Sequence, residues 1–305
     1  MLCYNGKHRR KMGMKTNNNS PCFDCDKYIK LQSARINQRI KMFDNKLYLE
    51  FGGKIFEDSH AARVLPGFWP GIKTEMLLKF RDKAEIIFCI NANDIENNRI
   101  QSNHNVTYDI ELLRLIRDFR NLGIPTVAVV ITLYTGQPAA EKFASQLKRR
   151  GIKTYFHTYT NGYPTDIDTI VSRDGYGAQP YIKTTKPLVV VAAPGANSGK
   201  LATCLAQIYH EYKRGVRAGY AKFETFPVWD LPMKHPVNIA YEASTADIGD
   251  VNMIDNFYLE KYGQTAVNYN RDLAVFPILK NILHRITGED FYASPTDMGV
   301  NVISQ

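Results

Sequence analysis

Residues Pro187 to Lys200 read PLVVVAAPGANSGK, and the following residues, Leu201 to Gly215, have helical patterning. A run of four apolar residues suits a strand covered on both faces. It feeds a glycine-bearing loop that opens a helix, the layout of an anion site. Small residues let the backbone approach a ligand closely, and a helix N-terminus offers unpaired N–H groups and a positive dipole end. Gly195, Ala196, Asn197, Ser198, Gly199 and Lys200 are therefore the candidate phosphate-binding residues, with Lys200 supplying a full charge. The standard phosphate loop requires a glycine, four free residues, then Gly-Lys and a hydroxyl residue that reaches magnesium. Here Pro194 stands where the first glycine belongs, and Leu201 replaces the Ser/Thr.

The elements that would position this loop alternate along the chain. Asp24 to Phe43 reads as a helix, and Lys46 to Phe51 (KLYLEF) as a strand ending at Gly52-Gly53. His60 to Gly71, with two prolines and two glycines, reads as a loop. A short helix follows near Lys73 to Lys83, then the strand Ala84 to Ile90 and a helix from Tyr108 to Leu122. Pro125 to Leu133 carries a β-branched run, Pro138 marks a helix start, Ala139 to Arg150 is amphipathic, and Gly151 precedes the strand IKTYFHT. Strand, helix, strand in this order predicts a βαβ unit of a parallel sheet. Asn161 to Thr185, rich in Gly, Pro and Asp, reads as a join. Beyond it only three strands are visible, at Leu188, at Val216 to Phe223 and at QTAVNY. The second half would then either borrow strands from the first or be cut short.

The expected fold class is α/β, with two Rossmann-like or P-loop-like three-layer units and mainly parallel sheets. The expected division is a basic tail over 1–22, an N-terminal Rossmann-like unit over 23–185 and a P-loop-like unit over 186–305, incomplete at its C-terminus. Composition is that of an ordinary globular chain, 44% hydrophobic and 23% charged over 305 residues. The formal charge of +9 is concentrated at one end, since Lys7, Arg9, Arg10, Lys11 and Lys15 fall in a stretch without acids. Without those five the rest of the chain carries only about +4, so nucleic-acid binding is not expected of the folded part. No stretch approaches the length of a membrane span, and no signal-peptide pattern follows the basic residues. Five cysteines, an odd number, fit a reducing compartment, and a cytoplasmic protein is expected. Cys22 and Cys25 form a C-x-x-C without a second pair, a weak zinc signal.

The strings LYLEFGGKIFEDSHAARVLPGF, GYPTDIDTIVS, PLVVVAAPGANSGKLATCLAQIYHEYKRG and AGYAKFETFPVWDLPMKHPVN resemble the prokaryotic family Domain of Unknown Function 1846. The likeness runs from Phe23 to Val302. It implies a further C-terminal region, which the family carries after PTDMGVN, and it implies no established activity. Some family members carry an ATP-dependent peptidase label, which these residues do not support. His210-Glu211 is followed by Tyr212, Lys213 and Arg214, so the zinc-protease pattern H-E-x-x-H lacks its second histidine. His210 and Glu211 are expected on the surface late in the helix.

A second likeness is to dethiobiotin-synthetase-type phosphate-loop proteins, in which Gly-Lys opens the helix and a lysine ends the next strand. Lys222 matches that second lysine. Two parallel strands would deliver Lys200 and Lys222 to one sheet edge, where two cations could clamp a triphosphate or an acyl phosphate. With Leu201 unable to bind magnesium, Glu224 and Asp230 are the candidate metal ligands, and Arg271 the candidate charge stabiliser. Gly52, Gly53, Lys54, His60 and Arg63 form a second anion-facing candidate, and Thr135-Gly136-Gln137 a third. Tyr269, Asn270, Asp272, Thr296 and Asp297 make a further polar cluster. The expected ligand is a small phosphorylated molecule, with ATP or another nucleotide plus magnesium as the cofactor candidate. A phosphoryl-transfer or carboxylate-activating enzyme and a non-catalytic phospholigand-binding or assembly protein, in either case in a homo-oligomer, both remain open from the residues alone.

Overall fold

The computed structural model describes residues 23–101, 105–246 and 249–304. The basic tail and Cys22 lie outside these residues. Asp24 caps the first helix, α1 (Cys25–Met42), by accepting the Lys27 amide at 2.9 Å. Next come β1 (Leu47–Phe51), α2 (Ser59–Val64), α3 (Ile72–Leu78), β2 (Ala84–Asn91) and α4 (Ala92–Glu96). The short strands β3 (Ile100–Gln101) and β4 (Val106–Thr107) form a ribbon before α5 (Tyr108–Asn121) and β5 (Thr126–Thr132). There follow α6 (Pro138–Arg149), β6 (Thr154–His157), the single turn α7 (Ile167–Ile170) and β7 (Leu188–Ala192). The chain continues with α8 (Lys200–Lys213), β8 (Gly219–Phe223), α9 (Pro236–Ser244) and β9 (Asn252–Ile254). It closes with α10 (Asn256–Tyr262), β10 (Val267–Tyr269), α11 (Asn270–Thr287) and α12 (Pro295–Met298).

Six strands form one parallel sheet in the order β6-β5-β2-β7-β1-β8, flanked by helices, so the fold is three-layered α/β as expected. Strands from either side of residue 185 alternate within that sheet. β7 pairs with β2 on one side and with β1 on the other, and β8 pairs with β1. The shortage of strands in the second half is thus met by borrowing: β7 and β8 complete the sheet begun by β1 and β2, and the two halves do not build a sheet each. The central strands are buried on both faces, and all five residues of β7 are fully buried, which is why they read as an unbroken apolar run.

Two local readings change. Ser59–Val64 is helical where a loop is expected, because Asp58 accepts the Ala61 amide at 3.1 Å and the first helix-breaking residue is Pro66. His210 and Glu211 are buried rather than on the surface, at 9% and 3% exposure. The segment before β7 lies over α8 at this point. The His210 Nε2 contacts the Gln179 carbonyl at 2.7 Å, and Glu211 accepts hydrogen bonds from the Tyr48 hydroxyl at 2.7 Å and from Thr184 at 3.3 Å.

Candidate functional site

In a parallel sheet ligands bind beyond the carboxyl ends of the strands, where neighbouring connections run in opposite directions. The order of this sheet puts that point between β2 and β7. β2 connects toward β5 on one side, whereas β7 connects past β1 to β8 on the other. The loop from Ala193 to Gly199 leaves β7 there.

Its path is fixed by polar contacts to the neighbouring strand ends. The Thr132 hydroxyl at the end of β5 contacts the Ser198 carbonyl at 2.8 Å and the Ile90 carbonyl at 3.3 Å. The Asn91 amide at the end of β2 donates to the Asn197 carbonyl at 3.4 Å. Two glycines are required by space. A Cβ on Gly195 would lie 2.3 Å from the Tyr108 ring, which packs against the loop from the start of α5. Gly199 has φ +76° and Thr132 atoms 2.8 Å from where a Cβ would be, so both conformation and room exclude a side chain.

Gly199 opens α8 without any side-chain cap, leaving the first amides of a fourteen-residue helix without that partner. By contrast the start of α6, after Thr135-Gly136-Gln137, already holds an acid of the protein: the Ala139 amide donates to Glu96 at 2.9 Å. The Gln137 side chain is likewise engaged, accepting from the Thr135 amide and donating to Asn93. Ser198 is 3% exposed, and its hydroxyl has no hydrogen-bond partner. A buried hydroxyl in that condition costs about 1–3 kcal/mol until something bonds to it. Thr203 is fully buried one turn into α8, where its hydroxyl faces the Cys89 thiol at 3.4 Å. It is therefore too deep to serve a ligand at the loop.

Lys222 is not a second cation at this loop. β1 separates β8 from β7, and the Lys222 ammonium contacts both Asp272 oxygens, at 2.6 and 2.8 Å, and Glu224 at 3.1 Å. Asp272 lies in the first turn of α11, whose dipole favours a carboxylate there. Glu50 is opposite Lys222 in the β1–β8 register and accepts the Tyr220 hydroxyl at 2.7 Å. Burial works against the Lys222 charge, yet Glu224, Asp272 and Glu50 hold its titration above the ordinary lysine range. The same crowding acts on Glu224, whose carboxyl burial pushes up to about 7 despite the lysine beside it.

The remaining sequence candidates are distributed elsewhere. Asp230 is exposed and its side chain meets Ser304. It forms no metal cluster with Glu224: among the described residues, no group of three or more His, Cys, Asp or Glu side chains is arranged to hold a metal ion. Arg271, half exposed, pairs with the buried Asp250 at 3.1 Å. In the segment of Gly52 to Arg63, the strongest feature is one composition did not single out. Asp58 pairs with Lys73 at 2.7 Å, and Lys73 is 1% exposed, its ammonium beside the stacked Phe51 and Phe223 rings. Thr296 donates to Asp255 at 2.6 Å, and Asp297 accepts from the Ala293 amide and the Tyr262 hydroxyl.

A model of the domain of unknown function DUF1846, N-terminal, matches residues 21–305. The chain belongs to this family. UPF0371 proteins of Clostridium botulinum (Type A) and Clostridium tetani are each 59% identical to it over 280 residues, covering 92% of the chain and 56% of the relative. A UPF0371 protein of Clostridium botulinum (Type E3) is 58% identical over the same extent. The chain thus spans 56% of the length of these curated relatives. Among the described residues no helix is long and apolar enough to cross a membrane.

Proposed function

We propose that this family member binds a small phosphorylated molecule, a nucleotide among the candidates, at the loop Gly195–Lys200. The observation that carries the reading is the buried, unpartnered Ser198 hydroxyl beside the uncapped start of α8, at the switch point of the sheet. A phosphate oxygen there would accept from the hydroxyl and from the helix amides. Lys200 is available as counter-charge, since no described carboxylate forms an ion pair with it.

Binding without turnover fits the residues better than phosphoryl transfer. Leu201 offers no oxygen to magnesium, and Lys222, the expected second cation, is committed to Asp272 and Glu224. Calorimetric titration of the protein with inorganic phosphate, ADP, ATP and GTP, with and without magnesium, tests the reading. Saturable binding that weakens at least tenfold in Lys200→Ala and in Ser198→Ala is expected, without phosphate release. Absence of Lys200-dependent binding refutes the phosphate site, and magnesium-dependent turnover refutes the non-catalytic assignment.

A further inference from the structure

A cavity of about 90 Å³ lies beyond the end of β8, away from the β7–α8 loop. Its wall includes Trp229, Tyr258 and Phe226, and its floor is Lys222, Glu224 and Asp272. The Trp229 and Tyr258 rings stand 5.8 Å apart at 56° to each other. The three floor side chains retain 21%, 27% and 20% exposure, so they face an accessible space.

The charge of this floor is unbalanced. One ammonium serves two carboxylates directly, with the Glu50 carboxylate close behind, and Asp272 takes the bidentate contact. Glu224 is the surplus acid. From β10 the Tyr269 hydroxyl, buried and without a hydrogen-bond partner, stands near Glu224 and Asp272, and Tyr241 of α9 also lies within electrostatic reach of Glu224. At the rim Arg35 and Asp297 add charges of opposite sign. Aromatic faces next to a surplus carboxylate attract organic cations.

We propose that this cavity is a binding site for a small organic cation, an alkylammonium, held by the Glu224 carboxylate and the Trp229 and Tyr258 rings. The volume suits the class. At roughly 10–15 Å³ of such space per water, the cavity of about 90 Å³ takes about six to nine non-hydrogen atoms. Because Glu224 titrates at about 7, its ionised fraction rises from about one tenth at pH 6 to about nine tenths at pH 8. Affinity for the cation therefore rises about tenfold across that interval.

The test uses the full chain carrying Trp69→Phe, which leaves Trp229 as the single tryptophan of the two. Tetramethylammonium and ethylammonium are titrated against its fluorescence at pH 6, 7 and 8, with tert-butanol as a neutral isostere and inorganic phosphate as an anion. Saturable ammonium binding about tenfold tighter at pH 8 than at pH 6 is expected, with at least tenfold loss and no pH dependence in Glu224→Gln. Tyr258→Leu, at the wall, should weaken binding several-fold, so the site remains testable if Glu224→Gln proves unfolded. Lys200→Ala should change nothing, so this site and the phosphate loop fail or stand separately. Equal binding of tert-butanol, tighter binding of phosphate, or no saturable response to either ammonium at pH 8 overturns the proposal.

Discussion

Replacing Glu224 by glutamine should flatten the dependence of folding stability on pH. In the folded protein this carboxyl titrates at about 7, against an ordinary value of 4.5, because it is buried beside Asp272 and Glu50 with one lysine among them. A folded-state value above the unfolded one means that the native protein holds the proton more tightly. The stabilisation is present in acid and is lost as pH rises through the interval between the two values. Worked through for a single site, the native protein loses about 2.5 kcal/mol from this group between pH 5 and pH 8. Glu224→Gln removes the titration and with it that slope. At about 2.1 cal/mol/K of unfolding entropy per residue, the loss corresponds to about 4 °C in melting temperature for a chain of 305 residues. Urea denaturation of the wild type and the variant at pH 5, 6, 7 and 8, at constant ionic strength, measures the difference. Parallel stability curves over that range would refute the argument, because they would mean that Glu224 is ionised well below pH 7 in the folded state.

Three further outcomes follow from the packing. Gly195→Ala should cost about 1–3 kcal/mol by driving a methyl group into the Tyr108 ring, with recovery in the double variant Gly195→Ala, Tyr108→Ala measured by thermal melts. Asp58→Ala should cost about 3–5 kcal/mol, since it strands the buried Lys73 ammonium beside the stacked Phe51 and Phe223 rings; a denaturation midpoint equal to wild type would exclude a buried charge there. Burial pushes the Cys89 thiol up to about 12 and Cys204 in the same direction, so iodoacetamide at pH 8 should label Cys25 well before either. Peptide mass mapping over a time course reads the order.

Much of the fold was legible because the central strands obey simple rules. VVV in β7 and IIF in β2 are apolar throughout since both faces are covered, and Pro138 and Gly151 bracket α6 from the sequence alone. The strand-loop-helix at Lys200 was readable for the same reason. The order of strands was not, because nothing in the residues of β7 says that it enters between β2 and β1. That single fact removes Lys222 from the loop, which a count of lysines at strand ends could not foresee. Glu211 misled in a related way: charged and late in a helix, it reads as surface, whereas its donors Tyr48 and Thr184 lie far away in the chain. The α2 helix was hidden by neighbouring prolines although Asp58 supplied a capping residue, and the cavity beyond β8 is assembled from α1, β8, α10, β10, α11 and α12, with no local signature.

The entry of β7 between β2 and β1 also sets a timetable for synthesis. Leu47 of β1 pairs with Leu188 and Gly219, so β1 has no strand partner until well over a hundred further residues have been made. At about 5–20 residues per second, this interval is on the order of ten seconds. Throughout it a strand that is apolar except for Glu50 waits with both edges unpaired, the condition most exposed to wrong pairing. Nascent chains halted shortly before Leu188 should therefore engage chaperones strongly, and release should coincide with emergence of β7 and β8.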